Sequence, residues 1–228
     1  MNAAVRVLIW WFFAPQNTTN KTKKVKQDPV TGIPMWLQRT SAFLILLCAS
    51  PIVLLTMLLI VLESKGGLFY SQTRVGLYGK RFNCLKLRSM YVKDDYRYVE
   101  PVLESSDREG ICKKYVNDPR ITKVGKFIRK YSIDELPQLM NVVKGDMALI
   151  GPRPSLICEF EQYDSRVYSR LLCEAGITGL WQVSGRANTT FEEQVMLDQH
   201  YVNNQSVWLD IAIILRTIPA VLFAKGAY

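Results

Sequence analysis

Residues 42–62 read Ala42-Phe43-Leu44-Ile45-Leu46-Leu47-Cys48-Ala49-Ser50-Pro51-Ile52-Val53-Leu54-Leu55-Thr56-Met57-Leu58-Leu59-Ile60-Val61-Leu62, and none of the 21 carries a charge. Coiled as a helix, such a run measures about 32 Å, just enough to cross a hydrocarbon core of about 30 Å. Ser50-Pro51 sits near its middle, where a proline removes a backbone hydrogen bond and bends the helix. Both flanks are basic. Lys21, Lys23, Lys24, Lys26 and Arg39 precede the run; Lys65, Arg74, Lys80, Arg81, Lys86 and Arg88 follow it. Positive charge marks the cytoplasmic side of a spanning helix, so this pattern chooses no orientation. Two forms fit: a span that tolerates its proline, and a segment that enters, turns at Ser50-Pro51 and returns to the same face. The second satisfies both flanks.

The chain has 228 residues and a net charge of +9, which points to one sizeable domain plus an appendage and to an anionic partner. That partner is nucleic acid, anionic lipid or a phosphorylated substrate. A single histidine, His200, removes a histidine-rich zinc site and a serine–histidine triad in a G-x-S-x-G elbow. Cys48, Cys84, Cys112, Cys158 and Cys173 never fall as C-x-x-C and read as reduced, buried residues in a cytoplasmic setting. A bound metal is then a hard ion held by carboxylates, with Mg²⁺ the natural choice beside phosphate. Neither Gly79-Lys80 nor Gly125-Lys126 is followed by Ser or Thr, and no G-x-G-x-x-G is present. A P-loop is therefore absent and a Rossmann unit disfavoured.

The chemistry concentrates in residues 129–154. Arg129-Lys130-Tyr131-Ser132-Ile133-Asp134-Glu135-Leu136-Pro137-Gln138 runs through Asn141 and Lys144-Gly145-Asp146 to Gly151-Pro152-Arg153-Pro154. Two readings of Ser132-Ile133-Asp134-Glu135 are compatible. It fits a capping box, with Ser132 as N-cap and Glu135 at the third helical position. It also fits phosphate chemistry, in which cations neutralise a phosphate while a carboxylate attacks it. Pro137 is comfortable only in a first helical turn. The two prolines around Arg153 stiffen its backbone, so less entropy is lost when it grips an anion.

Elsewhere the signals are coarser. Residues 5–14 are apolar but too short to span and read as an interfacial segment; residues 17–27 read as a basic linker able to touch anionic lipid. Residues 66–90 alternate basic and aromatic side chains around Gly76 and Gly79, which predicts short turns or hairpin-like pieces at the membrane surface. Residues 93–115 read as a peripheral excursion. Leu156, Phe160, Tyr163, Val167 and Leu171 recur at helical spacing, so a helix with a core stripe is expected from Pro154, with Gly176 as its stop. In residues 176–186, Trp181, Gln182 and Arg186 offer a stacking face, an amide and a cation, either for a nucleotide pocket or within a packed turn. Thr190-Phe191-Glu192-Glu193 is a capping box opening a helix to about residue 202. Residues 208–223 are apolar, but Asp210, Arg216 and Pro219 argue for a helix lying on the bilayer or the core rather than spanning.

Taken in order, these motifs resemble a known family. An apolar helix with a central Ser-Pro is followed by Phe69-Tyr70-Ser71-Gln72-Thr73-Arg74-Val75-Gly76, then residues 82–90. Next come Asp118-Pro119-Arg120-Ile121-Thr122, the Asp134-Glu135 pair, Gly151 to Pro154 and residues 176–186. This is similar to the bacterial sugar transferases, the monotopic polyprenyl-phosphate phosphoglycosyl transferases, over residues 38–228. The resemblance implies a mostly α fold with short β pieces: residues 1–37 a basic segment, 38–64 a re-entrant membrane helix, and 65–228 a cytoplasmic catalytic domain with amphipathic interfacial helices. It places the protein at the bacterial inner membrane, catalytic domain facing the cytoplasm.

The implied reaction moves a hexose-1-phosphate from a UDP-sugar to undecaprenyl phosphate, releasing UMP, as the first membrane step of exopolysaccharide, O-antigen or capsule synthesis. The family's nucleophile matches Asp134. Its neighbour, tied to metal and proton, matches Glu135, and the pair would hold Mg²⁺. The phosphate-gripping arginines match Arg129 and Arg153, and the basic membrane-edge motif, joining that set, matches Lys86 and Arg88. Membrane lipids are partners, nucleic acid is not, and the resemblance permits a homodimer. The ending Gly226-Ala227-Tyr228 and the region Trp208-Leu209-Asp210 lean towards galactose, with glucose or an N-acetylated sugar as the alternative. Without the multi-span N-terminal region of larger relatives, the chain resembles the minimal catalytic form. Two departures stand out: the family's Lys-Arg and following Asp are replaced by Gln38-Arg39-Thr40-Ser41-Ala42, and Pro-Gly by Ala175-Gly176. The rival from another class is a membrane-tethered scaffold that binds lipid or nucleic acid through its basic face.

Overall fold

Leucine, isoleucine and alanine carry helix α1 from Met35 to Glu63 as one element, with Pro51 inside it. The computed structural model describes residues 32–100, 118–164, 166–185 and 189–223; the readings for residues 5–14 and 17–27, for most of 93–115 and for Arg186 lie outside these. Pro51 has no N–H for the carbonyl of Leu47. The Ser50 hydroxyl supplies the missing donor, 2.7 Å from that oxygen, which lets the helix pass its proline. α1 is the helix among the described residues long and apolar enough to cross a membrane, and only 11% of its most apolar window is buried against protein. Leu44, Leu47, Leu54, Leu58 and Leu62 stand exposed, a larger apolar surface than water tolerates.

Both ends of α1 are tied to the rest of the chain. Near its start, Gln38 Oε1 accepts from the amides of Leu149 and Ile150 at 2.9 and 3.3 Å, and Arg39 Nε donates to the Val143 carbonyl at 2.9 Å. At its end, the Glu63 carboxylate accepts from the amides of Lys123 and Val124 at 2.7 and 2.9 Å. Those amides open helix α2 (Lys123–Lys130), whose first N–H groups lack helical partners and favour an anion. Ala42 packs in one cluster with Phe82, Cys84, Leu139, Val142 and Met147, while Ile60 packs with Leu87 and Ile128.

The hairpin expected in residues 66–90 is present. β1 (Phe69–Val75) and β2 (Arg81–Leu87) pair antiparallel, from Phe69 opposite Leu87 to Val75 opposite Arg81. The turn between them bends through left-handed backbone at Tyr78 and Gly79. Pro137 sits just ahead of helix α3 (Gln138–Lys144), where its missing N–H costs nothing. Strand β3 (Ala148–Ile150) pairs in parallel with β5 (Gly176–Thr178), and β4 (Ser155–Leu156) with the end of β1.

The single helix expected from Pro154 is not found. That stretch breaks into β4, a short helix α4 (Ile157–Phe160) and a 3₁₀ turn (Val167–Leu171). Its stripe is core all the same: Phe160, Tyr163, Val167 and Leu171 pack with Val75, Phe191 and Val195. Gly176 opens β5 rather than stopping a helix, because β3 claims its backbone for a strand pair.

Helix α5 (Leu180–Ser184) follows. The capping box at Thr190 is formed: the Glu193 amide donates to Thr190 Oγ1 at 3.2 Å and the Thr190 amide to Glu193 Oε2 at 2.8 Å. It opens α6 (Phe191–Asn204). α7 (Val207–Leu222) exposes Trp208, Leu215, Ile218 and Leu222. It buries Asp210, which accepts from the Ile33 amide at 2.7 Å and the Tyr201 hydroxyl at 2.8 Å.

Candidate active site

Four segments converge. Asp134 and Glu135 lie on a 3₁₀ turn (Ile133–Glu135), Lys86 on β2, Arg74 on β1, and Arg153 on the loop leaving β3. The capping box predicted at Ser132 does not form. Ser132 takes a left-handed backbone, φ 56°, and caps no helix with its side chain; a non-glycine residue in that region carries strain of about 1 kcal/mol or more. The consequence is that Glu135 does not reach back to its own turn. Its carboxylate turns to Lys86 instead.

Lys86 Nζ lies 2.5 Å from Glu135 Oε1, and Arg153 Nη1 lies 3.9 Å from the same oxygen. Asn141, named in the sequence without a role, explains the alignment. Its Oδ1 accepts from the Leu85 amide at 3.1 Å and its Nδ2 donates to the Asn83 carbonyl at 2.8 Å. α3 is thereby pinned to β2, and the next residue, Lys86, falls opposite Glu135. Arg74, Lys86, Glu135, Gln138, Arg153 and Gln182 line one cleft.

The two carboxyls are driven apart electrostatically. Asp134 is 7% exposed. Burial, with Glu135 beside it, pushes its carboxyl up to about 6 against the pull of Lys86 and Arg129. Burial also works against the Glu135 carboxylate, but Lys86 and Arg153 outweigh it and hold that group well below the usual carboxylate range. Neighbouring acids separated in this way are suited to different roles. Glu135 is a permanent anion inside a cationic ring; Asp134 is a weakly solvated carboxylate beside it.

The other sequence candidates fall in different places. Arg129, on the last turn of α2, lies near enough for its charge to act on Asp134. Arg88 is buried away from the cleft, its guanidinium donating to the Ser64 and Lys65 carbonyls at 2.7 and 2.5 Å. It ties down the chain where α1 ends. Gln182 lines the cleft and donates to the Ile177 carbonyl at 2.8 Å. Trp181, read as a stacking face, is 8% exposed and packed inside.

Arg74 was missed as a site residue, being one of several cations in a stretch that reads as a solvated basic face. It is 7% exposed; burial and the nearby Arg153 both lower its pKa, and its guanidinium stays charged. The residues expected to hold Mg²⁺ are Asp134 and Glu135; no group of three or more His, Cys, Asp or Glu able to hold a metal occurs among the described residues. Two hard carboxylates fit an ion that keeps waters and takes its remaining oxygens from substrate phosphates rather than from a protein cage.

Comparison with known proteins gives the family. The model of the family described as bacterial sugar transferase matches residues 32–224. The exopolysaccharide production protein ExoY of Sinorhizobium fredii is 38% identical over 233 residues, covering 100% of both chains. The undecaprenyl-phosphate galactose phosphotransferase of Salmonella typhimurium is 43% identical over 192 residues, 82% of this chain and 40% of that one. A UDP-glucose:undecaprenyl-phosphate glucose-1-phosphate transferase of Caulobacter vibrioides is 38% identical over 200 residues, 84% of this chain and 70% of that one. With a family model matched across all of its described elements and a relative aligned end to end, the chain belongs to the bacterial sugar transferases.

Proposed function

We propose that this enzyme transfers a hexose-1-phosphate, galactose-1-phosphate in the leading reading, from a UDP-sugar to undecaprenyl phosphate in exopolysaccharide or related glycan synthesis. The observation that carries the reading is the buried Asp134 carboxylate next to Glu135, whose own carboxylate faces Lys86 and Arg153, on a chain with an unburied apolar helix. In the first step an Asp134 oxygen attacks the sugar-side phosphorus. The bond from that phosphorus to the bridging oxygen breaks, and UMP leaves with the oxygen. In the second, an oxygen of undecaprenyl phosphate attacks the same phosphorus, and Asp134 leaves as carboxylate. Two displacements replace one difficult transfer, and ping-pong kinetics follow.

Arg153, Lys86, Arg74 and Arg129 offset the phosphate charge. Glu135 keeps Lys86 and Arg153 gathered at the cleft. Asp134 and Glu135 would hold Mg²⁺, which supplies Lewis-acid neutralisation of the diphosphate. The relatives named for galactose and glucose frame the donor choice.

Re-entry of α1 is supported by its two ends. Gln38 bonds to β3, Arg39 to α3, and Glu63 to α2, so a bilayer between those ends would sever one set of contacts. Residues 20 and 70, changed to cysteine, should both label only from the cytoplasmic side; labelling of residue 20 from outside would require a span. Anchored to the catalytic domain at both ends, α1 then holds Asp134 at head-group depth, where the acceptor phosphate lies.

The test of function is UMP release from a panel of UDP-sugars with undecaprenyl phosphate. UDP-galactose should give the highest kcat/KM; salt-sensitive lipid binding without UMP release would favour the scaffold. Donor alone should release one UMP per enzyme, at a rate that falls about tenfold per pH unit below about 6 as Asp134 gains its proton. A rate level down to pH 5 would show that Asp134 stays ionised there in the donor complex.

A further inference from the structure

The Pro152-Arg153-Pro154 segment has a positioning problem. Two of its three residues have no N–H, so it must be located chiefly through its carbonyls. Each carbonyl has a donor from a different element. The Gly176 amide reaches the Pro152 oxygen at 2.9 Å. Arg74 Nη1 reaches the Pro154 oxygen at 3.2 Å, and Arg170 Nη2 reaches the Arg153 oxygen at 3.4 Å. The next side chain is held as well, by a bond of 2.6 Å between the Tyr163 hydroxyl and Ser155 Oγ.

Arg170 is the centre of this support. It is 5% exposed on the 3₁₀ turn, yet it does not line the cleft. Its Nη1 donates to the Tyr163 hydroxyl at 3.0 Å. Its Nη2 pairs at 2.6 Å with a carboxylate oxygen of Asp198, a fully buried residue on α6. A buried ion pair is a weak source of stability, since well-packed apolar residues of similar volume do as well or better. A rigid guanidinium fork can instead serve three acceptors at set angles, which a lysine cannot.

We propose that Arg170 and Asp198 are positioning residues for Arg153: Asp198 orients the Arg170 fork, and the fork locates the Arg153 main chain so that its side chain meets the donor diphosphate. The role rests on the proposed function. It predicts that losing the fork weakens donor binding even where the fold is intact.

The test uses the full chain in lipid nanodiscs, with UDP as the binding probe. Asp198→Ala alone leaves a buried cation unpaired and destabilises the fold, so it does not discriminate. The pair Arg170→Met with Asp198→Leu removes both charges together. It should melt within a few degrees of wild type, yet bind UDP about tenfold more weakly and raise the donor KM by a similar factor, the scale of one charge-assisted hydrogen bond. Arg170→Lys, which keeps a charge for Asp198 but loses the fork, should show the same loss and serves if the double variant does not fold. The KM for undecaprenyl phosphate should stay within about twofold, since the acceptor attacks after UMP has left. UDP affinity and donor KM within twofold of wild type in a folded variant would overturn the positioning role while leaving the reaction intact. A wild-type enzyme that binds no UDP and releases no UMP would remove both together.

Discussion

Asp134→Asn should reduce UMP release by about a thousandfold or more, because removing the atom that forms the covalent bond removes both displacements at once. The substitution keeps the shape of a side chain that is 7% exposed, so the fold should survive and the melting temperature should hold or rise. UDP binding should persist, since the cations that grip it are untouched. A variant that keeps more than about a tenth of its turnover would show the carboxylate to be a bystander or a metal holder. Stereochemistry separates the two enzymatic schemes independently: net retention at phosphorus fits two displacements, and inversion fits a direct transfer.

Gly176→Ala should destabilise the fold severely. An added Cβ would meet the Gly151 nitrogen at 2.1 Å, with the Ile150 carbonyl carbon and the Thr178 oxygen both at 2.6 Å. All three are backbone atoms, in β3, in the residue just after it and in β5 itself, so no side chain can swing aside. The strands must shift, and with them goes the hydrogen bond from the Gly176 amide that locates Pro152 ahead of Arg153. The expected loss is about 3 kcal/mol or more, a fall in Tm of about 6–12 °C for a chain of this size. Gly67→Ala is the control, because its Cβ would approach nothing closer than 3.9 Å; it should melt like wild type. Equal melting of the two variants would mean that β3 and β5 do not pair as described.

Part of this architecture is legible in the chain itself. Residues 42–62 announce a long apolar helix by composition alone, and the Thr190 capping box and the hairpin after residue 66 are local devices that act where they are written. The nearness of Glu135 to Arg153 is legible for a similar reason, since only α3 and β3 separate them in sequence. What escapes is what tertiary contact decides. Ser132-Ile133-Asp134-Glu135 has the residues of a capping box, but Lys86, from a strand far earlier in the chain, offers Glu135 a stronger partner than an amide. Residues 154–171 have helical spacing, yet the pairing of β4 with β1 and the hydroxyl contact of Tyr163 with Ser155 break the helix while leaving its apolar positions buried. Arg74 and Arg88 look like their solvated neighbours in the sequence. Only the folded chain distinguishes an arginine in the cleft from one that ties down the end of α1.

The most direct measurement is intact and peptide mass spectrometry of the enzyme quenched in acid after exposure to the UDP-sugar alone. An added mass equal to one hexose phosphate, on the peptide that holds Asp134 and absent from Asp134→Asn, is the expected result. Prompt UMP release with acceptor present, but an unmodified peptide under donor alone, would contradict the covalent route.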